Sequence, residues 1–142
     1  MRRMATVAVA GLSLAWLSVG LTQDLEFKTR LSTVPISPQT AAAVTGTGAA
    51  SAQLSGRQLT VNGTFQGLQG AASVARLHMG AITGVRGAAV HELEVERAAS
   101  GRLSGSVQLS RSEVQALRDG RLYIQIDSES APEGNLWGWL LQ

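Results

Sequence analysis

The stretch LEFKTRL at residues 25–31 alternates side chains suited to a core with charged ones. In an extended chain successive side chains point to opposite faces, so Leu25, Phe27, Thr29 and Leu31 share one face while Glu26, Lys28 and Arg30 share the other. A period of two reads as a half-buried β-strand, and the same pattern recurs down the chain. Val34–Ala50, with Pro35 and Pro38, reads as a loop that leads into a second strand near Gly48–Leu54. Arg57–Gln66 follows with Leu59, Val61 and Phe65 in step, and Ser55-Gly56 supplies the turn of a hairpin. Further strands are predicted over Ala72–Met79, Ala88–Glu96, Leu103–Leu109, Arg121–Asp127 and Leu136–Leu141, separated by glycine-rich turns. The single helical signal is Ser110-Arg-Ser-Glu113, a capping box followed by Val114, Leu117 and a stop at Gly120. These elements predict an all-β, antiparallel, Greek-key-like β-sandwich with one short helix before the penultimate strand.

A chain of 142 residues is long enough for one buried core without staples. Residues 1–20 differ in kind from the rest: Arg2 and Arg3, an apolar run from Ala5 to Leu17, then Ser18 and Gly20 follow the order of a signal peptide. The run is short for a bilayer span and no second one follows, so residues 21–142 are expected to be a single exported domain, periplasmic or extracellular, with no membrane span after leader removal. Removing Arg2 and Arg3 leaves 10 of the 12 basic residues against 10 acidic ones, and the remaining arginines are scattered singly. That balance argues against a nucleic-acid partner and permits self-association. With no cysteine in the sequence, thiol catalysis and thiolate metal sites are excluded.

Two histidines are the chief candidates for chemistry. On the strand ARLHMG at residues 75–80, Arg76 and His78 project on one face, with Leu77 and Met79 on the other. A His-x-His pair there would clamp a metal, but a guanidinium stays protonated and does not ligate. His91 shares a predicted face with Ala89, Leu93 and Val95, while Glu92, Glu94 and Glu96 line the opposite, solvated face. Asp127 ends a strand on the face of Tyr123 and Gln125, and Trp137 and Trp139 alternate in the last strand, as residues closing a sandwich core. No Gly-x-Ser-x-Gly elbow accompanies the serines, so a hydrolase triad is not supported. An aromatic content of 4% leaves little for a stacking carbohydrate platform.

The stretches TGTGAASAQL, LTVNGTFQGLQG, ARLHMG, GRLYI at 120–124 and APEGNLWG at 131–138 carry a resemblance to the CHRD domain, the module named from chordin and also found in exported bacterial proteins. The resemblance covers nearly all of residues 24–141. The family pattern has Ala-His-Ile-His-x-Gly where this chain has Ala75-Arg76-Leu77-His78-Met79-Gly80, and a third histidine where this chain has Asp127. It has Gly-Glu-Ile/Leu-Arg-Gly where Gly134-Asn135-Leu136-Trp137-Gly138 stands. If the family's histidine positions form one cluster, Arg76 and Asp127 replace two imidazoles by a charge pair beside His78.

The resemblance implies a non-enzymatic exported module, with no cofactor, that binds a protein or cell-envelope component. Loops 80–87 and 128–135, at one end of the sandwich, are the expected contact region, with Arg86, Glu129, Glu133 and Trp137 as candidate binding residues. The alternative is a transition-metal-binding or redox protein, similar to the copper/zinc superoxide dismutases in having histidine on a strand before a glycine-rich loop. Its ligands would be His78, His91 and Asp127.

Overall fold

The computed structural model describes residues 24–142, and the leader expected over residues 1–20 lies outside them. Eight strands and one helix follow in order: β1 (Leu25–Thr33), β2 (Thr47–Ser55), β3 (Gln58–Gln66), β4 (Ala72–Met79), β5 (Ala88–Val95), β6 (Gly101–Gln108), α1 (Arg111–Arg118), β7 (Leu122–Ser128) and β8 (Leu136–Trp139). No described helix is long and apolar enough to cross a membrane.

The strands close into a barrel in the order β1-β2-β3-β6-β5-β4-β7-β8. The expectation of a sandwich is corrected by two strands that turn from one sheet into the other. β1 pairs with β2 over Leu25–Leu31 and with β8 through Ser32 and Thr33. β5 pairs with β4 between Ala88 and Leu93 and with β6 through Glu94 and Val95. Strands that switch sheets make the corners of a flattened barrel. The Greek-key element survives, because β4, β5 and β6 run as a meander and β3 lies beside β6.

Alternation built the barrel as the residues require. Phe27 and Leu31 of β1, Leu59 and Val61 of β3, Leu77 of β4 and Ile124 and Ile126 of β7 are fully buried in one continuous core. Helix α1 covers one end of the barrel, with Ala116 and Leu117 fully buried. The Ser110 side chain caps it by accepting the Glu113 N–H at 3.2 Å. Its C-terminus closes as a Schellman turn: Arg121 N–H donates to the Ala116 carbonyl and Gly120 N–H to that of Leu117. Gly120 supplies the left-handed φ of +72° that this turn needs.

The tryptophans correct a second expectation. Leu136 and Leu140 are the fully buried residues of the last strand region, and Trp137 and Trp139 alternate with them, half-buried on the outer face. Gly138 points inward where β8 crosses β1: a Cβ there would stand 2.4 Å from Thr29 Oγ1 and 2.8 Å from the Arg30 carbonyl oxygen. The Arg30 backbone and the packed Thr29 and Leu31 side chains cannot all relax cheaply. Gly138→Ala is therefore expected to destabilise the barrel by about 1–3 kcal/mol, as overpacking does. Equilibrium urea unfolding measures it, and an unchanged midpoint would contradict the crossing.

Candidate functional site

Strand β7 is buried on both faces over its whole length, from Leu122 to Ser128. Its inward residues join the core, which leaves Tyr123, Gln125 and Asp127 facing outward and in need of polar partners. Neighbouring strands supply them in register. His78 of β4 stands opposite Tyr123, which stands opposite Trp139 of β8. One row along, Arg76, Gln125 and Trp137 line up in the same way.

In the first row the His78 and Tyr123 rings stack at 4.9 Å with 19° between planes, and Trp139 packs at 4.4 Å on Tyr123. Gly87 ties the row to the loop before β5. The Tyr123 hydroxyl accepts its N–H at 3.0 Å and donates to its carbonyl at 3.1 Å. His78 Nδ1 lies 2.9 Å from that same carbonyl, which can only accept, so Nδ1 carries the proton and Nε2 is left as the free ring nitrogen.

Arg76 and Gln125 of the second row both reach Asp127, which stands opposite Val74 one row further along. Its Oδ2 lies 3.5 Å from Arg76 Nη1 and its Oδ1 accepts the Gln125 amide at 2.9 Å. The Arg76 side chain is 40% exposed while that of Asp127 is 9% exposed, so the carboxylate is held by a cation that still reaches water. Arg76, His78 and Asp127 thus lie on one outer face, and Trp137 borders it. The ion pair expected between Arg76 and Asp127 is present, and His78 shares its face.

The two loops leave the barrel at opposite ends, which corrects the expectation that they share one. β4 and β7 are antiparallel neighbours, with Met79 opposite Leu122, so chain leaving their C-termini emerges on opposite sides. Arg86 bridges the distance. Its guanidinium sits 5.5 Å over the Trp137 ring and donates to the Glu133 carbonyl at 3.3 Å. Beside this arm a cleft of ≈ 380 Å³ opens between Pro35 and Pro132. Glu129 is exposed, with its N–H bonded to the Ala71 carbonyl at 2.9 Å.

His91 does not join His78 and Asp127. It stands opposite the buried Leu77 and therefore on the inner side of the sheet, where its Nε2 meets Glu113 Oε2 of α1 at 2.5 Å. A register shift between Leu77 and His78 puts Ala89 opposite outward-facing His78, so Ala89 and His91 fall on different faces rather than on the shared one expected. The Glu113 carboxylate is engaged by His91 instead of closing the capping box. Among the described residues no three histidine, aspartate or glutamate side chains group as a metal site. Sequence reasoning missed Gly87, the Gln125 amide and Glu113 as partners. The alternation Tyr123, Gln125, Asp127 was the available signal for the first two, and nothing local announced the third.

These contacts separate in energy. Tyr123→Phe strips the partner from a part-buried Gly87 N–H and is expected to cost about 1–3 kcal/mol, with faster hydrogen exchange at Gly87. Arg76→Met removes a long ion pair from a 40%-exposed arginine while Gln125 keeps its bond to the buried Asp127 carboxylate, and should cost no more than about 1 kcal/mol. Denaturant titration of both variants checks the order, and a larger loss for Arg76→Met would reverse it.

The family profile described as CHRD domain matches residues 17–140. The chain matches no curated protein and no solved structure. A match over nearly the whole length settles the family: the chain belongs to the CHRD domain family.

Proposed function

We propose that this chain is a non-enzymatic binding module that holds a protein or cell-envelope component on the outer face of β4, β7 and β8. The reading includes export, periplasmic or extracellular, on the leader pattern of residues 1–20. The observation that carries it is the state of the polar groups on that face. Both Asp127 oxygens and His78 Nδ1 are already engaged within the chain, and His91 is on the other side of the sheet. Such groups rigidify a surface rather than move protons.

What the face offers outward suits recognition. Arg86 lies clamped over half-buried Trp137, and arginine and tryptophan are favoured interface anchors. Aliphatic residues stand in solvent next to the residues that line this region: Val85 is 45% exposed beside Arg86, and Ile36 is 56% exposed beside Pro35. Arg86 and Trp137 are the residues expected to anchor the partner; Glu133 positions Arg86 through its carbonyl.

Site-specific crosslinking tests this. A photo-crosslinking amino acid at position 85 of the full chain is expected to capture one discrete component of the producing cell's envelope. Trp137→Ala should reduce that capture at least tenfold, and a crosslinker at position 111, at the start of the helix, should capture nothing. Equal capture at both positions, or indifference to Trp137→Ala, would contradict the reading.

A further inference from the structure

A trough of ≈ 720 Å³ lies on the outer face of β1, β2, β3 and β6, a different face of the barrel from the one above. Register defines its floor. One row across the four strands runs Lys28, Ser51, Asn62, Ser104. The next runs Arg30, Ala49, Thr64, Arg102. Cations therefore stand on the two outer strands, about 14 Å apart at three strand spacings, with small polar side chains between them.

The cations are available. Arg30 and Arg102 enter none of the ion pairs among the described residues, and Lys28 has only a 3.6 Å contact with Glu26, both side chains being more than half exposed. No carboxylate lines the trough. The nearest acid is Glu26, one row along β1 from Lys28, while Glu94 and Glu96 lie beyond the opposite wall and line a separate hollow with Arg102. The hydroxyls and amide of the floor point outward, whereas one row further Gln58 and Ser106 satisfy each other at 2.7 Å.

Arg30 lines an adjoining hollow that shares Ala49 and Thr64 with the trough. We propose that the trough and this hollow together bind an acidic polysaccharide, with its acid groups on Lys28, Arg102 and Arg30 and its hydroxyls on Ser51, Asn62 and Thr64. The chemistry of the floor selects among polyanions. A peptide would want an apolar anchor pocket or a free strand edge, and here the apolar lining is Ala49 with the buried Ala50 and Leu103, and all four strands are paired along the trough. A single-stranded nucleic acid would want stacking aromatics, and the trough has none. A sugar chain needs hydrogen-bonding groups in number and a few fixed charges, which is what the two rows present.

Retention of the full chain on immobilised polygalacturonate at low salt tests the proposal, with neutral dextran and polyglutamate as the alternative probes. Binding to polygalacturonate is expected to exceed binding to either alternative at least tenfold. The double variant Arg30→Gln/Arg102→Gln should lose at least tenfold, while Arg57→Gln/Arg111→Gln, with the same net charge, should keep the parent's retention. No retention, equal retention on dextran or polyglutamate, or equal loss in both double variants would overturn the proposal.

Discussion

A strand buried on both faces organises this molecule. The inner side chains of β7 need only apolar neighbours, but Tyr123, Gln125 and Asp127 on its outer side are polar and lie under 10% exposed. A buried polar group without a partner costs on the order of 1–3 kcal/mol, so each of the three fixes something else in place. Tyr123 fixes Gly87 and with it the chain entering β5. Asp127 draws in Arg76 and Gln125, and Gln125 also reaches the Glu133 carbonyl at 3.4 Å. The outer face of β4, β7 and β8 is therefore a rigid polar and aromatic layer whose hydrogen bonds run mostly inward.

Barrel closure explains why that layer can form. β1 and β5 each belong to two sheets, so the wall bends at those strands and brings β8 alongside β7 with its tryptophans outward. Antiparallel order then sends loop 80–87 and loop 129–135 out of opposite ends. Only a side chain as long as Arg86 spans the face between them, and its seat on Trp137 and the Glu133 carbonyl gives the two loops one shared surface.

Much of this architecture was legible in the residues and some was not, for physical reasons. The alternation in LEFKTRL, the hairpin at Gly56 and the Ser110 cap are local signals, and each strand falls within a few residues of its expected span. The outward grouping of Arg76 with His78, and of Tyr123 with Asp127, also follows from a period of two. Sandwich against barrel does not, because both use the same alternation and differ only in which strands pair at the corners. The error over Trp137 and Trp139 has a simple source: bulk suggested the core, but Gly138 between them is the residue that faces it, since only a missing Cβ fits against Thr29 and Arg30. His91 keeps the face expected for it with Leu93 and Val95, and one register shift moves only Ala89 to the other face, without any mark in the residues themselves.

The central claim is that the outer face of β4, β7 and β8 has its polar groups engaged in structure, with His78 Nε2 as its one free imidazole nitrogen. A calorimetric titration of the full chain with copper(II) and zinc(II), beside a His78→Ala control, tests this most directly. The account predicts no stoichiometric binding that distinguishes the two proteins. A one-to-one complex formed by the parent chain and lost in His78→Ala would contradict it, and would mean that Asp127 leaves Arg76 to ligate a metal.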